Sequence, residues 1–185
     1  MTAAGLAAVV LLGSLGGGCS RNQTAESACE SLRNAVLEAD GIAVFEVLLQ
    51  NTQWSVATVQ KLHRRMAESI RSSYPAGEQA AALARLYAAD SDNGRELFLQ
   101  LYTERYAADF RARVGEQMSV QVDAAGQASC GAAAARPFPL ALGRDGQWGL
   151  SELDREWEDA KLRAYHDQET VTKNVELYRR VGAGK

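Results

Sequence analysis

The spacing of apolar residues changes once in mid-chain, and no other feature constrains the fold as much. Up to about Val114, apolar side chains recur every three or four residues, which puts them on one face of a helix. From Glu116 they alternate. Met118, Val120 and Val122 interleave with Ser119, Gln121 and Asp123, Ala124-Ala125-Gly126 turns the chain, and Ala128 and Cys130 alternate beyond it. Phe138, Leu140 and Leu142 then alternate, Arg144-Asp145-Gly146 turns, and Trp148 and Leu150 follow. Alternation is the mark of a half-buried strand, so this segment predicts a pair of hairpins. Asp145-Gly146 suits a tight turn in which both central residues take positive φ. Pro137 and Pro139 predict an edge, or a poorly paired start, for their strand. Helical spacing returns from Glu152 to Val181. Helices, then a meander of about four strands, then a helix is an α+β layout, with helices covering one face of an antiparallel sheet.

The helical part divides at turn and cap residues. Thr24-Ala25-Glu26-Ser27 opens a helix carrying Cys29, Leu32, Val36 and Leu37. Asp40-Gly41 interrupts it before the apolar run Ile42 to Leu49, giving two helices or one kinked helix. Ser55 to Ser73 is amphipathic. Val56, Val59, Leu62, Met66 and Ile70 form its stripe, with Lys61, Arg64, Arg65, Glu68 and Arg71 toward water. Pro75 and Gly77 end it. Glu78 to Ala89 reads as a short Ala-rich helix, and Asp90 to Gly94 as a turn and cap. Arg95 to Val114 has Leu97, Phe98, Leu101, Tyr102, Tyr106, Phe110 and Val114 on one side. In the last helical stretch Trp157, Ala164, Val171 and Tyr178 stand seven apart. The polar run His166 to Thr170 weakens that stripe, so it is one helix or two.

Met1 to Ser20 holds no charged side chain. The apolar run Leu6 to Leu12 gives way to Gly13-Ser14-Leu15-Gly16-Gly17-Gly18 and then Cys19. An apolar stretch ending in small residues is the pattern of a secretory signal. A cysteine directly after it resembles the lipobox of bacterial lipoproteins, in which the thiol takes a diacylglycerol. The match departs in two places: Gly16 stands where Leu is usual, and the first basic residue is Arg21. The resemblance implies a signal peptide over 1–18, lipidation at Cys19, a tether over 19–23 and a membrane-anchored protein of the cell envelope. A plain cleaved signal, leaving a soluble periplasmic protein, and an uncleaved tail are the alternatives. If Cys19 carries lipid, Cys29 and Cys130 remain. They are a disulfide pair in an oxidising compartment, or two buried thiols.

Composition removes several classes. The net charge is -3, against the basic surface that coating nucleic acid requires. No apolar run approaches the roughly 18 residues that span a bilayer as a helix. The cysteines are too scattered for a zinc site. Asp154, Glu156, Glu158 and Asp159 crowd the start of the last helix, where the helix dipole accounts for them without a metal. G-x-S-x-G, H-E-x-x-H, C-x-x-C and P-loop patterns are absent. His63, on an amphipathic helix beside Arg64 and Arg65, reads as a partly exposed surface residue. His166 lies in a polar break. The residues present assign no catalytic group, cofactor or metal.

The helical layer followed by strands ending in Gly143-Arg144-Asp145-Gly146-Gln147-Trp148-Gly149-Leu150 resembles the NTF2-like (cystatin-like) superfamily, where such a turn commonly precedes the final strand. The resemblance spans Thr24 to Leu150, making 24–150 one domain and 151–185 a C-terminal helical extension that the simple family pattern lacks. It implies a cone: a curved antiparallel sheet wrapped on helices, with a pocket between them. Phe98, Tyr102, Tyr106, Phe110 and Trp148 are the candidate pocket lining, with plain core packing as the competing account. Enzymes of the family place His or Asp inside the cone. The residues expected on the core face here, Met118, Val120, Val122, Ala128, Leu140, Leu142 and Trp148, cannot transfer a proton. Trp157, Val171, Val175 and Tyr178 must pack on their own domain, the favoured arrangement, or form a partner face. The expected function is a lipid-anchored, non-catalytic domain that binds a protein partner or a small apolar ligand. An exported hydratase or isomerase and a purely helical adaptor are the alternatives.

Overall fold

A computed structural model describes residues 22–183. The expected signal segment and Cys19 lie outside the described residues. The architecture is α+β, with helices packed on a four-stranded antiparallel sheet and a long helix at the C-terminal end.

Helix α1 (Ala25–Leu37) opens with a capping box. The Thr24 side chain accepts from the Ser27 N–H, and the Ser27 side chain accepts from the Thr24 N–H. It closes with a Schellman motif in which Ala39, at φ 55°, holds the left-handed position usually given to glycine. Asp40 then caps α2 (Gly41–Val47) by accepting from the N–H groups of Ile42 and Ala43. The chain therefore forms two helices here.

Helix α3 (Gln50–Ser73) starts before the expected Ser55, because Gln53 reaches back to the Leu48 carbonyl and stabilises the elbow. The predicted stripe and polar face are as expected, with one correction. His63 is buried, 4% exposed, among the core-facing residues. Helix α4 (Ala76–Leu83) ends short of the predicted Ala89. Residues 84–89 form turns that bury Leu86 and Ala88. Helix α5 (Gly94–Leu101) runs through a π-helical turn, Tyr102–Tyr106, into α6 (Ala107–Arg113). In an α-helix, residues four apart drift by about 40° per step. The wider turn offsets that drift and brings Phe110 back to the core.

The strands β1 (Ser119–Val122), β2 (Ala128–Gly131), β3 (Phe138–Leu142) and β4 (Trp148–Leu150) lie in sequence order, each antiparallel to the next. Both hairpins turn in the same way. The N–H of Asp123 bonds to the Gln127 carbonyl, as that of Gly143 does to Gln147, and Gly126 and Gly146 alone take positive φ in these turns. Asp145 keeps negative φ and instead accepts from the Gln147 N–H, so the expected tight two-residue turn is a longer turn with glycine in the left-handed place.

Pro137 and Pro139 do not mark an edge. Pro139 sits in the interior strand β3 opposite Ser129, and its carbonyl accepts from the Ser151 N–H just past the end of β4. Its missing donor therefore falls where the ladder stops. The free side of β4 is covered. Leu48 bridges Leu150, the Leu49 N–H donates to the Leu150 carbonyl, and the Trp148 N–H donates to the Asn22 carbonyl. Gly149 permits this approach, since a Cβ there would lie 2.9 Å from the Val47 oxygen and 3.0 Å from the Leu49 nitrogen. Asn22, assigned to the tether by its polarity, is buried in this seam.

The core lies between the sheet and α1, α5 and α6, around Phe98, Phe110, Phe138, Leu32 and Leu150. Ala128 and Leu140 are buried as expected, and Met118, Val120 and Trp148 partly so. Val122 and Leu142, each the strand residue next to its hairpin turn, are exposed. A disulfide joins Cys29 on α1 to Cys130 on β2, with Cα atoms 5.5 Å apart. Closing a loop of 101 residues contributes about 4–5 kcal/mol in the chain-entropy picture. Helix α7 (Asp154–Ala183) is unbroken through His166 to Thr170 and packs along α3.

Candidate functional site

The cleft best suited to a ligand lies where α3, α4 and α7 converge. Its volume is about 340 Å³, enough for a small ligand. Met66 and Ile70 on α3, Ala82 on α4, Leu86 after it and Val171 on α7 make the wall apolar. Tyr74 and Tyr178 meet edge to face at one end, 4.9 Å between centroids. Glu78, Arg85 and Asp167 place charges of both signs on the lining. The Tyr178 hydroxyl donates to Glu78, and that bond, with the nearby carboxylate charge, holds its proton so that its pKa is pushed up to about 12. The Tyr74 carbonyl accepts from the Gln79 side chain at 2.9 Å, which pins α4 against the end of α3.

His63 supports this region. Its Nδ1 accepts from the Ala88 N–H at 3.3 Å, and its ring meets Tyr87 edge-on at 4.9 Å. Accepting at Nδ1 requires that nitrogen to be unprotonated. Burial holds the imidazole pKa below its ordinary value, against the opposing pull of Asp167. Asp167 thus serves both the cleft and the histidine. The imidazole ties down the turn that carries Leu86 into the cleft wall.

The expected pocket residues do not surround one cavity. Phe98, Tyr102 and Phe110 fill the core with their rings in contact, and Phe110 continues onto Phe138 at 5.1 Å. Tyr106 is half-buried and donates its hydroxyl to Glu156 at 2.6 Å. Burial and that carboxylate raise its pKa. Trp148 lines a separate, polar cleft of about 350 Å³ with Asn22, Glu46, Gln50, Gln53 and Asp145. The competing core account therefore holds for the helical stripe.

The candidate partner face is likewise turned inward. Trp157 is 2% exposed and Val175 8%, while Val171 and Tyr178 are partly buried and line the cleft. They pack at home, the arrangement favoured from the sequence. The indole N–H of Trp157 is buried and has no hydrogen-bond partner among the described residues. The acids that begin α7 do more than meet a dipole. Asp154 accepts from Thr52 at 2.9 Å, Glu158 from Ser55 at 3.2 Å, and Glu156 from Tyr106. They fasten α7 to α3 and to the π-helical turn.

Sequence reasoning missed Tyr74, Glu78, Arg85 and Asp167 as site residues. Tyr74, Glu78 and Arg85 share one stretch, but Asp167 lies far along the chain, and each is unremarkable in its own window. The only signal was the sevenfold spacing of Val171 and Tyr178 on α7. A wider groove of about 800 Å³ runs between α1 and the β1 edge, lined by Glu26, Glu30 and Arg33 together with Met118 and Val120. Among the described residues no cluster of three metal-ligating side chains occurs, and no helix is long and apolar enough to cross a membrane. Comparisons with protein-family models, curated proteins and solved structures find no match for this chain.

Proposed function

We propose that this is a lipid-anchored protein of a bacterial envelope, carried on Cys19, whose NTF2-like domain and C-terminal helix together hold a small, largely apolar ligand in the α3–α4–α7 cleft. The observation that carries the binding reading is the cleft itself. An apolar wall meets a tyrosine hydroxyl and charges of both signs, which suits a hydrocarbon body bearing one polar group. The order of elements and the Asp145-Gly146-Gln147-Trp148 turn support the family reading. The Cys29–Cys130 bond supports an oxidising compartment, where such bonds persist. The apolar run ahead of Cys19 supports the anchor.

The test is native mass spectrometry of protein made in a periplasm, repeated under denaturing conditions. The expected result is a stoichiometric extra mass that disappears on denaturation and is reduced at least tenfold in an Ala82→Trp variant, whose indole fills the cleft. A bare native mass, unchanged after incubation with a cell-envelope lipid extract, overturns the ligand reading. The covalent mass of the mature chain tests the diacylglycerol on Cys19 separately.

A further inference from the structure

With a lipid on Cys19, the place at which Asn22 is held on the domain decides which side faces the membrane. Asn22 is not a loose tether residue. Its carbonyl accepts from the Trp148 N–H at 2.8 Å, its N–H donates to the Gln147 side chain at 3.0 Å, and its side chain accepts from Ser31 at 3.1 Å. It is 5% exposed. Between Asn22 and Cys19 stand only Ser20 and Arg21. Three residue steps reach at most about 10 Å. A folded chain of this size has a radius of gyration of roughly 15 Å. The leash is shorter than the body it holds, so the body cannot turn its far side to the bilayer.

The surface around Asn22 fits that position. Three exposed apolar side chains come from elements that border Asn22 or its partner Trp148: Ile42 at 39%, Trp54 at 63% and Leu142 at 58%. Leu142 pairs across the hairpin with Trp148, the residue that holds Asn22. Ile42 stands one turn before Glu46, which lines the clefts on both sides of Asn22. Trp54 stands one turn beyond Gln50, which lines one of them. Tryptophan is favoured at a membrane interface, where its ring meets headgroups and acyl chains together.

We infer that the end of the domain formed by Ile42, Trp54 and the β3–β4 turn rests on the phospholipid bilayer, leaving the outer face of α7 toward solvent. The inference rests on the lipid anchor at Cys19. The test places the photoreactive residue p-benzoylphenylalanine at Ile42, Trp54 or Arg144, and for comparison at Leu162 or Tyr165 on α7, in the full lipoprotein on phosphatidylethanolamine–phosphatidylglycerol vesicles. The expected result is a phospholipid adduct at least fivefold more abundant at the first three positions. Equal or reversed yields, with the lipid on Cys19 established by mass, overturn the orientation. If the mature chain carries no lipid, the anchor reading fails by itself. The orientation is then decided by coupling Cys19 to a maleimide phospholipid, since the disulfide leaves it the only free thiol.

Discussion

The guanidinium carbon of Arg113 sits over the ring of Phe138, 3.8 Å from its centroid. The same group pairs with Glu152 and Asp109 at 2.8 Å and donates to the Arg136 and Pro137 carbonyls, so the end of α6, the start of β3 and the approach to α7 close on one buried cation. Removing one partner of a buried pair leaves a charge unpaired. Arg113→Ala is expected to cost about 3–5 kcal/mol in urea unfolding. Arg136→Ala touches the same Glu152 from an exposed position and is expected to cost about 0–1 kcal/mol. Equal losses would show that Arg113 acts through charge alone.

Ala39 occupies a left-handed backbone position at the exposed C-terminal end of α1. A Cβ is strained there and glycine is not. Glycine's greater freedom in the unfolded chain offsets part of the gain. Ala39→Gly is therefore expected to stabilise by about 0.5–1 kcal/mol, read as a higher urea midpoint with unchanged slope. A lower midpoint would mean that the Schellman closure does not limit α1.

His63 makes stability depend on pH. Its folded pKa lies below the ordinary value of about 6.5, so between the two values the unfolded chain binds more protons. Its contribution is full above about pH 6.5 and is lost as the pH falls through the folded value. The protein is expected to unfold at lower urea at pH 5 than at pH 7.5. His63→Asn keeps an acceptor near Nδ1 but does not titrate, and is expected to flatten that change. An identical drop in the variant would assign it to other groups.

Gly149 is the closest backbone crossing at the covered edge of the sheet. The atoms a Cβ would meet belong to the Val47–Leu49 backbone, which cannot swing aside as a side chain can. Gly149→Ala is expected to destabilise by about 1–3 kcal/mol and to speed amide exchange of Leu49 and Trp148, which bond across this seam. Gly126→Ala is the contrast. Its Cβ would meet open space, and only the positive φ of its turn opposes it.

Local patterns read correctly where one period ran long enough. The α3 stripe from Val56 to Ile70 is buried, and the alternation after Glu116 became two hairpins because each window contained its own turn residues. Reading failed where a neighbour distant in sequence overrode the local signal. His63 looks polar beside Arg64 and Arg65, yet it is buried to receive the Ala88 N–H. Val122 and Leu142 alternate as core residues, yet stand exposed beside the hairpin turns. The cleft was mostly illegible because α7, which closes it, lies far along the chain from α3 and α4.

The sequence by itself determined the α+β class, the broad order of helices and strands, the capped start of α1, and the two cysteines left as candidates to bond. Each follows from periodicity, a cap or the chemistry of a side chain, all expressed within a few residues or in a count. Tertiary structure decided that the aromatic stripe fills the core, that α7 turns its apolar seam onto α3, and that a cleft opens beside Tyr74 and Tyr178. It also decided that Asn22 is held at the sheet edge. Those outcomes depend on which surfaces meet, and burial is a property of the meeting surfaces rather than of either one alone.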